Sequence, residues 1–134
     1  KIIRSDKKLE KWFSPEQIET MAQAVEDHRA SNKNEPRSIY GKIVAEADRQ
    51  IDGMTILRRT IQFGLNHYPD LDREGHWGRT LEHINEKYAE GGYLRLWIPE
   101  SPNAIRLREF QSMVKDTILL RKHFDEIYTQ ETSR

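Results

Sequence analysis

A histidine and an aspartate stand among the apolar residues of two successive predicted helices, where they could bind a metal ion or a charged partner. On the first helix the apolar residues recur every three to four positions and carry His28 onto the same face at its C-terminal end. On the second helix Asp48 follows Val44 by four residues, at the edge of a stripe formed with Tyr40, Ala47 and Ile51. The spacing therefore predicts that both polar side chains face the core.

A carboxylate that faces a core needs compensation for its charge. Burying an ionised carboxylate without a partner is strongly unfavourable, so Asp48 should be neutralised by a metal ion, a cationic side chain or several hydrogen-bond donors. The structural alternative is a partner from nearby in the sequence, and the candidates are Arg37, Lys42, Arg49 and His28. The pattern alone leaves both interpretations open.

The composition excludes several classes of chemistry. The chain has 134 residues, of which 36% are hydrophobic and 33% are charged, which fits one domain with a modest core. It has no cysteine, so disulfides, thiolate zinc sites and cysteine nucleophiles are excluded. Its 22 basic and 22 acidic residues balance, so no net field attracts DNA or an acidic membrane. No apolar run approaches the roughly 18 to 20 residues that cross a bilayer, no signal peptide is visible, and we expect a cytoplasmic protein.

Helices account for nearly all of the predicted structure. Ser14, Pro15 and Gln17 give a strong helix start, with a serine N-cap, a proline at the first position and a capping box. Further apolar residues at helical spacing predict helices over 57–68 and from 72 to the Gly91–Gly92 pair.

The C-terminal part repeats the same start signal. Ser101 and Pro102 predict one long helix over 101–130, preceded by an extended linker over 93–99. Gly41 inside a helix is unfavourable by about 1 kcal/mol relative to alanine, so it indicates a close helix approach or room for a ligand. The sequence therefore predicts an all-α helical bundle of about five helices, in a single domain over 1–134.

Common catalytic motifs are missing from the chain. It contains no GxSxG, GxxxxGK, GxGxxG or HExxH segment. His76 and His83 are seven residues apart on one predicted helix face and could suit a metal, but no carboxylate completes the set. We interpret these two histidines as solvated polar residues.

The segments EDHRAS, EPRSIYGKI and AEADR resemble the C-terminal half of a subgroup of HD-domain proteins, a superfamily of metal-dependent phosphohydrolases. The likeness continues through RRTIQFGLNHYPDLD and LEHINEKYAEGGYLRLWIPESPNA into the last helix. In that superfamily an all-helical domain binds one or two divalent metals through a first histidine, an adjacent His-Asp pair and a final aspartate. The resemblance implies that Asp48 is this final aspartate and that His28 is an additional histidine near the metals or the substrate phosphate.

The chain also departs from the family pattern. No His-Asp dipeptide occurs in it, since Asp27 and His28 come in the reverse order, and no histidine precedes them. Because those ligands would lie upstream of Lys1, and because the chain does not begin with methionine, we expect a C-terminal fragment of a longer enzyme. We expect the fragment itself to bind metal weakly or not at all and to be inactive. The alternative is a divergent, metal-free relative.

For the complete enzyme the resemblance implies hydrolysis of phosphate esters with a divalent ion, which generates hydroxide near neutral pH and orients a phosphoryl oxygen. Carboxylate and imidazole ligands suit manganese, magnesium, iron, cobalt or nickel. No residue is assigned as catalytic. The phosphate of a nucleotide or another phosphorylated small molecule could be held by nearby cations, with Arg37 placed first and then Arg29, Lys42 and Lys33.

A contrasting interpretation is a helical interaction module without catalysis. The incomplete ligand set favours it, and apolar faces that missing helices would have covered are expected to be exposed. In that case we expect a homodimer that forms through exposed apolar helix faces.

Overall fold

The part of the chain that the structure describes consists of helices and connecting segments. The computed structural model describes residues 2–30 and 32–133, and these contain seven α-helices, one short 3-10 helix and no strand. The predicted all-α class is confirmed. The described residues form two compact units, and the single domain over 1–134 stays a prediction. Unit 1 comprises the described residues up to Gln50 with Leu94–Asn103, and unit 2 comprises Ile51–Tyr93 with the described residues from Ala104 onward.

Unit 1 is built around the pair α2 and α3. It contains α1 (Ile2–Ser5), the 3-10 helix (Leu9–Lys11), α2 (Pro15–Asp27) and α3 (Ile39–Asp48). The predicted capping box of α2 is confirmed, because the Ser14 hydroxyl accepts from the Gln17 amide at 3.2 Å and the Gln17 side chain accepts from the Ser14 amide at 2.9 Å. The Ser38 hydroxyl caps α3 in the same way, accepting from the Gly41 amide.

Gly41 lets α3 approach α2 closely. A Cβ added there would lie 3.0 Å from the Cβ of Pro36 and 3.6 Å from the Cα of Ala24. A Cβ at this position would therefore already be in contact with the backbone of α2 and would require Pro36 to shift by a few tenths of an ångström. Of the two predicted reasons for this glycine, the close helix approach is confirmed.

Unit 2 holds the larger apolar core. It contains α4 (Gly53–His67), α5 (Arg73–Lys87), most of α6 (Pro102–Lys115) and α7 (Thr117–Thr132). Asp52 and Asp72 cap α4 and α5 by accepting backbone amides of the first turn. The core side chains that are fully buried in this unit include Leu57, Ile61, Ile84, Leu120, Phe124 and Ile127.

The prediction of one continuous helix over 101–130 is wrong, because the chain breaks at Asp116. The Asp116 backbone leaves the helical region, and its carboxylate accepts from the Leu119 amide at 3.1 Å to start α7. An unbroken helix would carry Ile118 into the core, four residues after Val114. The break instead leaves Ile118 86% exposed and buries Leu120 completely.

Among the described residues, no helix combines the length and the apolar character needed to cross a lipid bilayer.

Candidate functional site

The C-terminal ends of α2 and α3 are joined by the side chain of Arg49. Its Nη1 donates to the His28 carbonyl at 3.2 Å and to the Ala45 carbonyl at 2.7 Å. His28 is the C-cap residue of α2, and Asp48 is the last residue of α3, directly before Arg49. The structure therefore brings the helix ends that carry His28 and Asp48 next to each other.

The prediction that Asp48 faces the core is wrong. Asp48 is exposed, and so are Tyr40 and Val44 of the predicted stripe. The face of α3 that is buried against α2 carries the small residues Gly41 and Ala45 instead. Because small residues allow the closest approach of two helices, this face of α3 is the one that packs against α2. The carboxylate of Asp48 is left accessible to a cation.

His28 lies at the edge of the buried face of α2 and is partly exposed. Its Nδ1 is hydrogen-bonded to the Val25 carbonyl, and since a carbonyl only accepts, Nδ1 carries the proton. This tautomer leaves the Nε2 lone pair available as an acceptor or a metal ligand. His67 makes a similar bond to the Phe63 carbonyl, so the arrangement also occurs away from the site.

The buried carboxylate of this region is Asp27, which the apolar pattern of the sequence does not single out. Arg37 donates to it three times, from its backbone amide and Nε to Oδ2 and from Nη2 to Oδ1, at 2.9 to 3.0 Å. The hydrogen bonds from Arg37 lower the pKa of Asp27 more than burial raises it. Arg37 also contacts Glu26 at 2.8 Å. Asp27 follows Ala24 by three residues, and this helical spacing could have predicted that Asp27 shares the buried face of α2.

The four predicted phosphate ligands fall into two groups. Arg37 is held by Asp27 and Glu26, and Lys42 forms a salt bridge with Glu35 at 2.7 Å. The other two, Arg29 and Lys33, are exposed and form no salt bridge with any residue that the structure describes. Only this second pair is therefore available to an anion without breaking an existing ion pair.

Arg49 is a buried cation, for which the sequence pattern suggests only a role as partner of Asp48. It is 6% exposed, and its side-chain hydrogen bonds go to backbone carbonyls, while its Nε has no partner in the described structure. Burial lowers the pKa of its guanidinium, and the charges of Asp48 and Glu46 act in the opposite direction. Asn103 holds the same helix end, donating to the Glu46 and Arg49 carbonyls at 2.8 and 2.6 Å.

The described side chains do not make a metal site by themselves. Within residues 2–30 and 32–133, no group of three or more histidine, aspartate or glutamate side chains is placed to hold a metal ion. Two ligands are fewer than the three protein ligands of typical catalytic zinc sites.

An apolar groove of about 550 Å³ lies on unit 1 between α2 and α3. The large side chains that α3 turns outward form one wall, and the residues that line the groove are Phe13, Glu16, Gln17, Thr20, Met21, Tyr40, Ile43 and Val44. The same arrangement that exposes Asp48 thus also exposes an apolar surface.

The interpretation of His76 as a solvated residue is wrong. His76 is 1% exposed in unit 2, its ring lies 5.8 Å from the ring of Tyr128, and its Nδ1 has no partner in the described structure. Burial lowers its pKa, with a further lowering from the charge of Arg79. Burial also lowers the pKa of His83, which is partly exposed.

Acidification is expected to destabilise the protein through His76. The unfolded chain binds a proton on this histidine near pH 6.5 and the folded chain only at lower pH, so the unfolded state binds more protons as the pH falls through that range. The free energy of unfolding, measured with urea at pH 7.5 and pH 5.5, should be smaller at pH 5.5. His76→Phe should reduce this difference, whereas His67→Phe, at an exposed position, should leave it unchanged. Equal pH dependence in all three proteins would exclude His76 as the cause.

No protein-family model, curated protein or solved structure matches this chain.

Proposed function

We propose that this chain is the part of an HD-superfamily metal-dependent phosphohydrolase that contributes Asp48 and His28 to the metal centre. The remaining ligands, a histidine and a His-Asp pair, would lie on residues outside these 134. The observation that carries the proposal is the hydrogen bond from Arg49 to the His28 carbonyl. It holds together the two helix ends on which the EDHRAS and AEADR segments place their polar residues.

The state of the two side chains supports the same role. The Nδ1 proton of His28 is directed to a backbone carbonyl, the usual partner of the second ring nitrogen in metal-bound histidines. Asp48 is exposed and forms no salt bridge with a described residue. When bound, a divalent ion such as Mn²⁺ would supply hydroxide and orient a phosphoryl oxygen.

Cationic side chains that form no salt bridge with a described residue follow His28 in the sequence, and they favour a phosphorylated substrate. Arg29 directly follows His28, Lys33 lies in the loop beyond it, and both are exposed. Because Arg37 and Lys42 are already paired, we propose Arg29 and Lys33 as the first contacts of a phosphate group. The substrate class is a nucleotide or another phosphorylated small molecule.

The decisive test is the metal content of the full-length protein, expressed from its own start codon and purified with Mn²⁺ present. Replacing Asp48 by alanine removes one anionic ligand, so we expect the bound metal to fall by about tenfold or more. His28→Ala should lower it less. The metal content is measured by mass spectrometry of the elements after gel filtration, and circular dichroism shows whether each variant is folded.

Two matched variants serve as controls. Asp70→Ala removes an exposed carboxylate, and His67→Ala removes a histidine with a similar Nδ1 hydrogen bond, so neither should change the metal content. Unchanged metal in Asp48→Ala would remove Asp48 from the centre. A gene that encodes no histidine and no His-Asp pair upstream of Lys1 would contradict the phosphohydrolase. Robust Mn²⁺-dependent ester hydrolysis by the 134 residues alone would instead contradict the claim that the remaining ligands lie outside them.

A further inference from the structure

The end of α3 that carries Asp48 is held by side chains from outside the helix. The last four carbonyls of an α-helix have no backbone partner within it. The side-chain nitrogen of Asn103 donates one hydrogen to the Glu46 carbonyl at 2.8 Å and the other to the Arg49 carbonyl at 2.6 Å. These two carbonyls come before and after Asp48 in the chain. A single amide group therefore fixes the backbone on both sides of this carboxylate.

Ser101, two residues before Asn103, contacts the same helix end. Ser101 is buried, and its hydroxyl donates to Oε1 of Glu46. The other carboxylate oxygen of Glu46, Oε2, is also buried and has no partner in the described structure. Glu46 is thus held twice, through its carbonyl by Asn103 and through its carboxylate by Ser101. All three residues belong to unit 1.

The turn that precedes these two donors is strained. Glu100 has a φ of 65°, and it is the only residue other than glycine with a positive φ in the part of the chain that the structure describes. It follows Pro99, and the Ser101 amide donates to the Ile98 carbonyl at 3.4 Å, which fits a type II turn with glycine as the usual third residue. Strained backbone persists only where the surrounding structure imposes it, and it clusters at functional sites. The strain at Glu100 therefore points to a function for the residues that follow it.

The stability of α3 alone does not require this arrangement. A helix commonly ends with a glycine at the C′ position, which satisfies the last carbonyls locally. The C-cap of α3 is Arg49, with extended backbone, and the next residue is Gln50. The Arg49 side chain donates to the His28 carbonyl at the end of α2, and the Arg49 carbonyl accepts from a residue 54 positions later, Asn103. Asn103 is thus connected through Arg49 to the helix end that carries His28.

We propose that Asn103 and Ser101 are positioning residues that fix Asp48 relative to His28. The inference rests on the proposed function, in which these two side chains bind the metal. Asn103 fixes the backbone of Arg49, and Arg49 holds the His28 carbonyl, so loss of the Asn103 bonds allows the two ligands to move apart. Groups that orient metal ligands without touching the metal typically contribute about 10- to 100-fold to metal affinity.

The first experiment needs no metal and follows backbone hydrogen exchange in the full-length protein with EDTA present. Asn103→Ala removes both donated hydrogen bonds, so the amides in the last turn of α3 should exchange faster by about threefold or more. Asn85→Ala is the matched control, because Asn85 is an exposed asparagine of α5, and it should leave this exchange unchanged. Ser101→Ala should act in the same direction as Asn103→Ala and replaces it if circular dichroism shows that Asn103→Ala is unfolded. Unchanged exchange of this turn in the folded variant would overturn the proposal.

The second experiment measures the Mn²⁺ dissociation constant of the full-length protein from the electron paramagnetic resonance signal of unbound Mn²⁺. Asn103→Ala should raise this constant by about tenfold or more. Ile61→Val removes a methylene group from a residue that is buried in unit 2, so it should lower stability without changing the constant. Urea unfolding compares the stability of the two variants. This control separates positioning of Asp48 from a general loss of stability.

The outcomes distinguish this proposal from the phosphohydrolase proposal. If the wild type binds no Mn²⁺, or if Asp48→Ala binds it as tightly as the wild type, the phosphohydrolase proposal fails and the positioning role fails with it. If Asp48→Ala loses the metal while Asn103→Ala binds it like the wild type, only the positioning role fails. Equal weakening in Asn103→Ala and Ile61→Val would also overturn the positioning role, because a loss of stability would then explain both.

Discussion

Replacing Phe124 by alanine should lower the free energy of unfolding by about 3–5 kcal/mol, the largest effect that we expect from a single substitution in this chain. Phe124 is completely buried in unit 2. Its ring lies 5.3 Å from the ring of Trp77 and 5.5 Å from that of Tyr128, so truncation removes contacts to both α5 and α7. Because whole domains are stable by only about 5–15 kcal/mol, a large part of the native stability would be lost.

Ile118→Ala is the matched comparison for Phe124→Ala. Both residues are in α7, but Ile118 is 86% exposed, so its replacement should change stability by less than about 0.5 kcal/mol. Urea unfolding followed by circular dichroism at constant pH measures both variants. Equal losses would mean that Phe124 is not a core residue and that the break at Asp116 does not set the inward face of α7.

Local signals in the sequence were sufficient to predict several helix starts. Ser14 with Gln17 and Asp72 are N-caps whose hydrogen bonds involve residues within the first turn. Such bonds depend on the residue types at fixed spacing and not on the rest of the fold. The all-α class follows from the same local information, together with apolar periodicity.

The inward face of α3 could not be predicted from the sequence, because it is determined by the packing of α3 against α2. Periodicity favoured the large residues Tyr40 and Val44, yet the helix packs through Gly41 and Ala45, where the backbones can approach most closely. Rotating the helix in this way exposes Asp48, for which the sequence pattern had predicted burial.

The side-chain interactions of the candidate site also could not be predicted from sequence patterns. Arg37 reaches Asp27 across a loop of nine intervening residues, and Arg49 reaches the His28 carbonyl from another helix. Helical periodicity does not relate residues on different helices or across a loop. A sequence pattern can therefore identify the charged residues but cannot show which of them interact. The sequence alone places Arg37 first among the phosphate candidates. The salt bridges of Arg37 with Asp27 and Glu26 favour Arg29 and Lys33 instead.

The turn after α5 should be the position most sensitive to a single added methyl group. Gly92 is buried, and a Cβ on it would lie 2.6 Å from the Lys87 carbonyl oxygen and 2.8 Å from that of Ala89. These are backbone atoms, which cannot move without opening the turn that the Gly92 and Tyr93 amides close. We therefore expect Gly92→Ala to lower the free energy of unfolding by about 1–3 kcal/mol.

Gly78→Ala distinguishes this steric effect from the general consequence of removing a glycine. Gly78 lies inside α5, and nothing comes within 4 Å of an added Cβ, so its replacement should stabilise the protein by up to about 1 kcal/mol through helix propensity. Urea unfolding of the two variants should therefore give changes of opposite sign. A stabilised Gly92→Ala protein would show that the chain after α5 takes another path.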